Sequence, residues 1–153
     1  MERKLDLTIS DSCLWLRASD EELPEWGEGN QAQGLLWQTG LAMMDPLSDE
    51  EFGADVIIRT PERFSADKRA QRTLKIPFTV AEGQTLWLGS PAGELPVEIA
   101  LAAGDYTLIY EICLARDVFY TLTLLPGRIE QATAAKADGW GLKKDQVLAA
   151  GPL

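Results

Sequence analysis

Two runs of carboxylates are the part of this 153-residue chain whose composition could do chemistry. One is Asp20, Glu21, Glu22, Glu25 and Glu28, with Trp26 among them; the other is Asp45, Asp49, Glu50, Glu51 and Asp55. Two carboxyl groups fixed across a cleft can serve as acid and base in glycoside hydrolysis, but acids strung along a loop are far more often a solvated face. Neither run has the spaced acids and central glycine of a calcium loop. The chain has no histidine. That removes Ser-His-Asp and Cys-His nucleophilic sites, histidine general bases and nearly all catalytic zinc sites together. No glycine-rich phosphate loop or dinucleotide fingerprint is present. Cys13 and Cys113 stand one hundred positions apart in apolar segments, outside any Cys-x-x-Cys pair, and read as reduced, buried thiols. The expectation is a protein with no catalytic residues, metal or cofactor, which works by binding.

Charge says what it would bind. Residues 1–58 hold 13 acids and 3 bases, and residues 59–153 hold 11 of each, so the whole net charge of -10 lies in the first part. Such a field repels nucleic acid and anionic membranes and attracts a basic protein. The sign reverses between residues 59 and 75, where Arg59, Arg63, Lys68, Arg69, Arg72 and Lys75 face only Glu62 and Asp67. A solvated loop whose bases pair with the acidic runs is preferred there to a phosphate-binding patch. The run Asp45 to Asp55 is nearer in sequence and takes that structural role. Asp20, Glu21, Glu22, Glu25 and Glu28 are left as the partner-facing surface, with Trp26 as its anchor. An aromatic ringed by carboxylates has the composition of a protein-binding hot spot, and the plain alternative is that it pins its loop to the core. Trp15 and Trp87 lie opposite in parity to Leu14, Leu16, Leu86 and Leu88. Exposed, they would be stacking platforms for a carbohydrate; covered by a second layer, they are core, which is the preferred reading.

These residues must be carried by strands. From Tyr106 the chain alternates, with Tyr106, Leu108, Tyr110, Ile112 and Leu114 on one face of a long, half-buried strand. Gly104 precedes Tyr106 by two positions, the spacing of a tyrosine corner, in which the hydroxyl reaches back to a backbone group near Ala102. Leu5, Leu7 and Ile9 begin a strand that resumes at Leu14 and Leu16 after a turn or bulge. Residues 18 to 34 read as a surface loop, and Leu35 to Met44 as strand in preference to a short helix. Val56 to Ile58 is a buried strand. Leu74, Ile76, Phe78 and Val80 form another, in which Pro77 indicates an edge or a bulge. Glu82-Gly83 reads as a hairpin turn into Leu86, Trp87 and Leu88, and Ser90 to Gly93 as a second turn. Val118 to Leu124 is a further strand, ended by Pro126-Gly127. Short helices are expected at Ser48 to Gly53 and at Leu142 to Ala149, while residues 129 to 137 could be helix or edge strand. Strands near ten residues apart, broken by Gly and Pro, give an all-β fold: an antiparallel Greek-key-like sandwich or flattened barrel with one or two short helices. Length suits one domain over residues 1–153 with a tail over 128–153, and the opening Met1-Glu2-Arg3-Lys4 has no signal region, so a cytoplasmic location follows by default.

Several of these segments together resemble a known family. Leu7, Ile9 and Ser10 followed by Trp15, then Trp26 with Gly34-Leu35-Leu36, Leu74 to Phe78 with Val80 and Gly83, and Ile99 to Leu101 leading into Gly104-Asp105-Tyr106 are similar to competence protein J, over about residues 5 to 112. The family is known as an inhibitor of a DNA-uptake nuclease. The resemblance implies a small β domain that binds and silences another protein, a nuclease or nuclease-like toxin. It carries no inhibitory residues onto this chain.

Overall fold

Alternation turns into strand pairing from the first residues of the computed structural model, which describes residues 1–47, 50–139 and 141–153. β1 (Glu2–Ile9) and β2 (Leu14–Arg17) are separated by a turn in which Asp11 and Ser12 both take φ of 51°, closed by a bridge between Ser10 and Cys13. The turn sends its two strands to different sheets. β1 pairs with β5 (Phe52–Arg59), and β2 lies between β4 (Leu41–Met44) and β7 (Trp87–Ser90).

The other strands are β3 (Leu35–Gln38), β6 (Ala70–Val80), β8 (Gly93–Pro96), β9 (Gly104–Leu114), β10 (Val118–Pro126), β11 (Ala132–Lys136) and β12 (Val147–Leu148). Seven strands form one sheet in the order β1-β5-β10-β9-β6-β11-β12, and five form another in the order β3-β4-β2-β7-β8. Pairing is antiparallel apart from the parallel contact of β5 with β10. Leu7, Val56, Leu74, Phe78 and Leu122 of the larger sheet meet Leu14, Leu16, Met44 and Leu88 of the smaller in one shared core, which makes the arrangement sandwich-like with no closed barrel. The corner read from sequence is formed. Gly104 has φ of 151°, and the Tyr106 hydroxyl donates to the Ala102 carbonyl at 2.5 Å.

Several local expectations are corrected. The strand after Tyr106 is not half-buried: Thr107, Ile109, Glu111 and Cys113 on its other face are buried too. Asp67 and Arg69 lie over the far end of that face, with the Asp67 amide donating to Glu111 Oε2 at 3.0 Å and the Arg69 guanidinium 4.7 Å over the Phe119 ring, while Thr107 at the near end donates to the Gly127 carbonyl at 2.7 Å. Leu35 to Met44 is strand as expected, but in two pieces that form a hairpin turning at Gly40 with φ of 71°. Glu82-Gly83 turns the chain from the larger sheet to the smaller, so β6 and β7 are not a hairpin. Pro77 sits in an interior strand, at a level that the pairing of β11 with Thr73 to Lys75 does not reach.

Helices are also displaced. Of the helix expected from Ser48 to Gly53, Ser48 and Asp49 lie outside the described residues, and Phe52 and Gly53 open β5. The tail helix is absent: Asp145 takes φ of 66° and Val147 and Leu148 join β11 as a strand. Among the described residues the helix is α1 (Glu28–Gln33), inside the segment read as loop.

Candidate partner-binding surface

The first acidic run is a segment tied down at both ends. At its start, Arg17 clamps the Glu94 carboxylate with Nε and Nη2 at 2.6 and 2.7 Å, while Nη1 donates to the carbonyls of Ser19 and Glu21 at 3.2 and 3.3 Å. Trp15 Nε1 adds a hydrogen bond to the same Glu94 oxygen at 2.7 Å. The Arg17 hydrogen bonds hold the Glu94 carboxyl below its ordinary range, with the Trp15 bond acting the same way against the cost of burial. In its middle, Leu23 and Trp26 pack on Cys13, Trp15, Leu36, Leu41 and Met43, the outer face of the smaller sheet. Trp15 is therefore buried core, 6% exposed, and offers no stacking platform; Trp87 is half-buried.

At its far end the run enters α1, whose glutamines and asparagine do the fastening. Trp26 Nε1 donates to Gln31 Oε1 at 2.9 Å. Asn30 is wholly buried and satisfies all four of its amide hydrogen-bonding positions: Oδ1 accepts from the Gly27 and Leu153 amides, and Nδ2 donates to the Leu35 and Gly151 carbonyls. Gly34 ends the helix with φ of 73°. Between these fastenings Asp20, Glu21, Glu22, Glu25 and Glu28 are all exposed, and no base occurs in sequence between Arg17 and Arg59. Beside Asp20 and Glu21 opens a concavity of about 440 Å³, framed by Ala18, Thr39, Gly40 and Thr79.

The second run is not one surface. Asp45 is buried; its Oδ1 accepts from the Leu47 amide at 2.7 Å and its carbonyl accepts from the Tyr110 hydroxyl at 2.9 Å. Tyr120 donates likewise to Pro46, its ring stacked on that of Tyr110 at 6.0 Å. Glu50 and Glu51 are exposed, and Asp55 pairs with Lys4 at 3.2 Å on the outer face of the larger sheet. Asp49 lies outside the described residues.

Three bases of the basic stretch form ion pairs with acids outside the second run. Arg59 pairs with Glu2 at 2.6 Å, Arg69 with Asp67 at 2.9 Å, and Arg72 with Asp138 at 2.9 Å. These partners lie outside residues 45–55. Asp45 is held in the fold by its bonds with Leu47 and Tyr110. The hydrogen bonds from Arg69 bring the Asp67 carboxyl down to about 2. Both cysteines are free and buried, and burial pushes each thiol up to about 12, which keeps them protonated and unreactive. Among the described residues no three His, Cys, Asp or Glu side chains are grouped to hold a metal ion.

Sequence reasoning passed over Arg17, Glu94, Asn30, Gln31 and Gln33. The available signal was the pair of glycines, Gly27 and Gly34, that bracket a six-residue helix without an apolar period.

Comparison with known proteins places the fold. No curated protein sequence matches the chain. Among solved structures, the crystal structure of ComJ, inhibitor of the DNA degrading activity of NucA, from Bacillus subtilis superposes with a TM-score of 0.68 at 17% identity, covering 82% of this chain and 96% of that one. The product of crocagin biosynthetic gene J superposes with a TM-score of 0.57 at 11% identity, covering 84% and 98%. At such identities the likeness is one of fold. The sequence profile of competence protein J (ComJ) matches residues 6–125, overlapping the likeness read directly from residues 5 to 112. With most of its length inside that profile, the chain belongs to the competence protein J (ComJ) family.

Proposed function

We propose that this protein is a non-catalytic acidic binder that silences a basic partner, a nuclease, through the surface formed by Asp20, Glu21, Glu22, Glu25, Trp26 and Glu28. The observation that carries the reading is the combination at that segment of five exposed carboxylates with fixed ends. An enzyme that grips phosphates presents cations, and carboxylates standing where phosphates would sit compete for them. Fixing both ends of the segment lowers the ordering cost of docking. Kinship with ComJ, which inhibits the DNA degrading activity of NucA, supports a nuclease as the target.

The test is inhibition of DNA degradation by the NucA-type nuclease of the source cell, with association rates followed from low to physiological salt. The wild type should inhibit, with an on-rate that falls steeply as salt rises. Glu21→Lys/Glu22→Lys/Glu25→Lys should slow association by about 10- to 1,000-fold at low salt while changing stability by less than about 0.5 kcal/mol. Unchanged inhibition by that variant overturns the reading. Loss of inhibition on reversing Asp49, Glu50 and Glu51 in a folded protein would move the surface to the second run.

A further inference from the structure

The family profile ends at residue 125, yet the chain goes on for another 28 residues, and these run back to the acidic surface. β11 pairs with β6, β12 pairs with β11, and Leu142 and Leu148 enter the core. The Leu148 carbonyl accepts from Trp37 Nε1 at 3.0 Å. Gln33, 7% exposed, then grips Ala149 twice, donating from Nε2 to its carbonyl at 2.8 Å and accepting its amide at Oε1 at 2.9 Å. The Gly151 amide donates to the Trp37 carbonyl at 2.8 Å, and Asn30, donating to the Gly151 carbonyl and accepting from the Leu153 amide, completes the seat. Gly27 and Gly29 leave room for it: a Cβ at Gly27 would stand 1.8 Å from the Leu153 carbonyl oxygen, and one at Gly29 2.5 Å from Leu153 Cβ.

A six-residue helix is too short to stand alone in water. Its two buried amide side chains spend half or more of their hydrogen bonds on residues more than one hundred positions away. We infer that β11, β12 and residues 149–153 are a brace that sets where the acidic surface stands, with Asn30 and Gln33 as positioning residues, an inference that rests on that surface being the partner-facing one. The tail holds α1, α1 holds Trp26 through Gln31, and Trp26 with Leu23 lays the run Asp20 to Glu28 on the smaller sheet. A partner then meets carboxylates at fixed positions.

Gly27→Ala/Gly29→Ala tests this in the full chain without altering charge. Gly27 has φ of -105°, which any residue adopts, and alanine favours a helix at position 29, so the double variant displaces Leu153 without straining α1. Gln33→Leu loosens the tail from its other hold. By hydrogen–deuterium exchange, protection of the Ala149, Gly151 and Leu153 amides should fall by about tenfold or more, as the loss of one or two hydrogen bonds implies. Exchange across residues 20–28 should rise with it while β9 is unaffected. Association with the NucA-type nuclease should slow at every salt concentration with its salt dependence unchanged, which a loss of charge would not produce. Unaltered exchange across residues 20–28 in a variant whose tail amides have lost protection overturns the inference, as does a tail that keeps its protection in both variants. If the wild type fails to bind the nuclease, the functional reading falls, and the exchange data still decide whether the tail holds the segment.

Discussion

Arg72 is drawn inside the fold, and its pairing with Asp138 joins the central sheet to the tail. The two side chains are 3% and 8% exposed, with Nε 2.9 Å from Oδ2 and Nη2 donating to Oδ1 at 3.1 Å. Dehydrating each ion costs several kcal/mol, and their mutual attraction offsets much of that while both are present. The pair's net contribution is therefore small, whereas either ion left behind is costly. Asp138→Asn, which keeps the shape and removes the charge, should lower stability by about 3 kcal/mol, and Arg72→Met by about 3 to 5 kcal/mol. Arg72→Met/Asp138→Leu should lie nearer the wild type than either single variant, with a coupling of about 2 kcal/mol or more. Urea unfolding with a common m-value across the four proteins gives the cycle directly. Additive single effects, or single effects below about 1 kcal/mol, would refute the argument, because a buried ion that loses an opposite charge at 2.9 Å cannot do so cheaply.

Tyr106→Phe removes the hydrogen bond to Ala102 and leaves the ring in place; because Ala102 is exposed and its carbonyl can take up water, the cost should be near 1 kcal/mol, the low end for a lost partner, and an unchanged unfolding midpoint would mean that the corner contributes nothing. Acid should destabilise the fold through Asp67, whose folded value of about 2, set by Arg69, is below the unfolded value of about 3.9, and through Glu94, lowered by Arg17. Their contribution is complete above about pH 5 and is lost as pH falls through the folded values, so urea midpoints should drop from pH 5 towards pH 2, and Asp67→Asn should flatten the drop; a midpoint that rises on acidification would contradict this.

Side-chain parity shows how much of this was legible in the sequence. Tyr106 to Leu114 could be read because a glycine, a tyrosine and alternation all point to one local geometry, and the hydrogen bond to Ala102 follows. Parity assigns a residue to a face but not to a sheet, which is why Glu82-Gly83, with the look of a hairpin turn, joins β6 to β7 across the sandwich. Parity also fails to show a second cover: Ile109, Glu111 and Cys113 are buried on the face turned away from the core, where the Asp67 amide reaches Glu111 from a segment more than forty positions away. α1 was hidden for a related reason. Its sequence, Glu28 to Gln33, has no apolar stripe, and what fixes it is hydrogen bonding to residues 149–153. The acidic run itself was plain in composition, whereas its fastening by Arg17 to Glu94 spans 77 positions and leaves no local trace.

Trp26 can be a pin, a partner anchor or both, and two substitutions separate these roles. Its ring is half-buried, packed with Leu23 on the cluster around Trp15 and Met43, and its N–H is spent on Gln31 at 2.9 Å. Trp26→Ala removes the indole surface and the hydrogen bond together, whereas Gln31→Ala removes the hydrogen bond and leaves the indole. If the exposed part of the ring enters a pocket of the nuclease, Trp26→Ala should quicken dissociation by about 30-fold or more, as loss of a hot-spot aromatic costing at least 2 kcal/mol does, while Gln31→Ala leaves dissociation near the wild-type rate. Both should raise exchange across residues 20–28, because both release the fastening at α1. Dissociation rates that change equally in the two variants would show that the ring acts on the partner only by holding the carboxylates in place, and the anchor would have to be sought elsewhere along the run from Asp20 to Glu28.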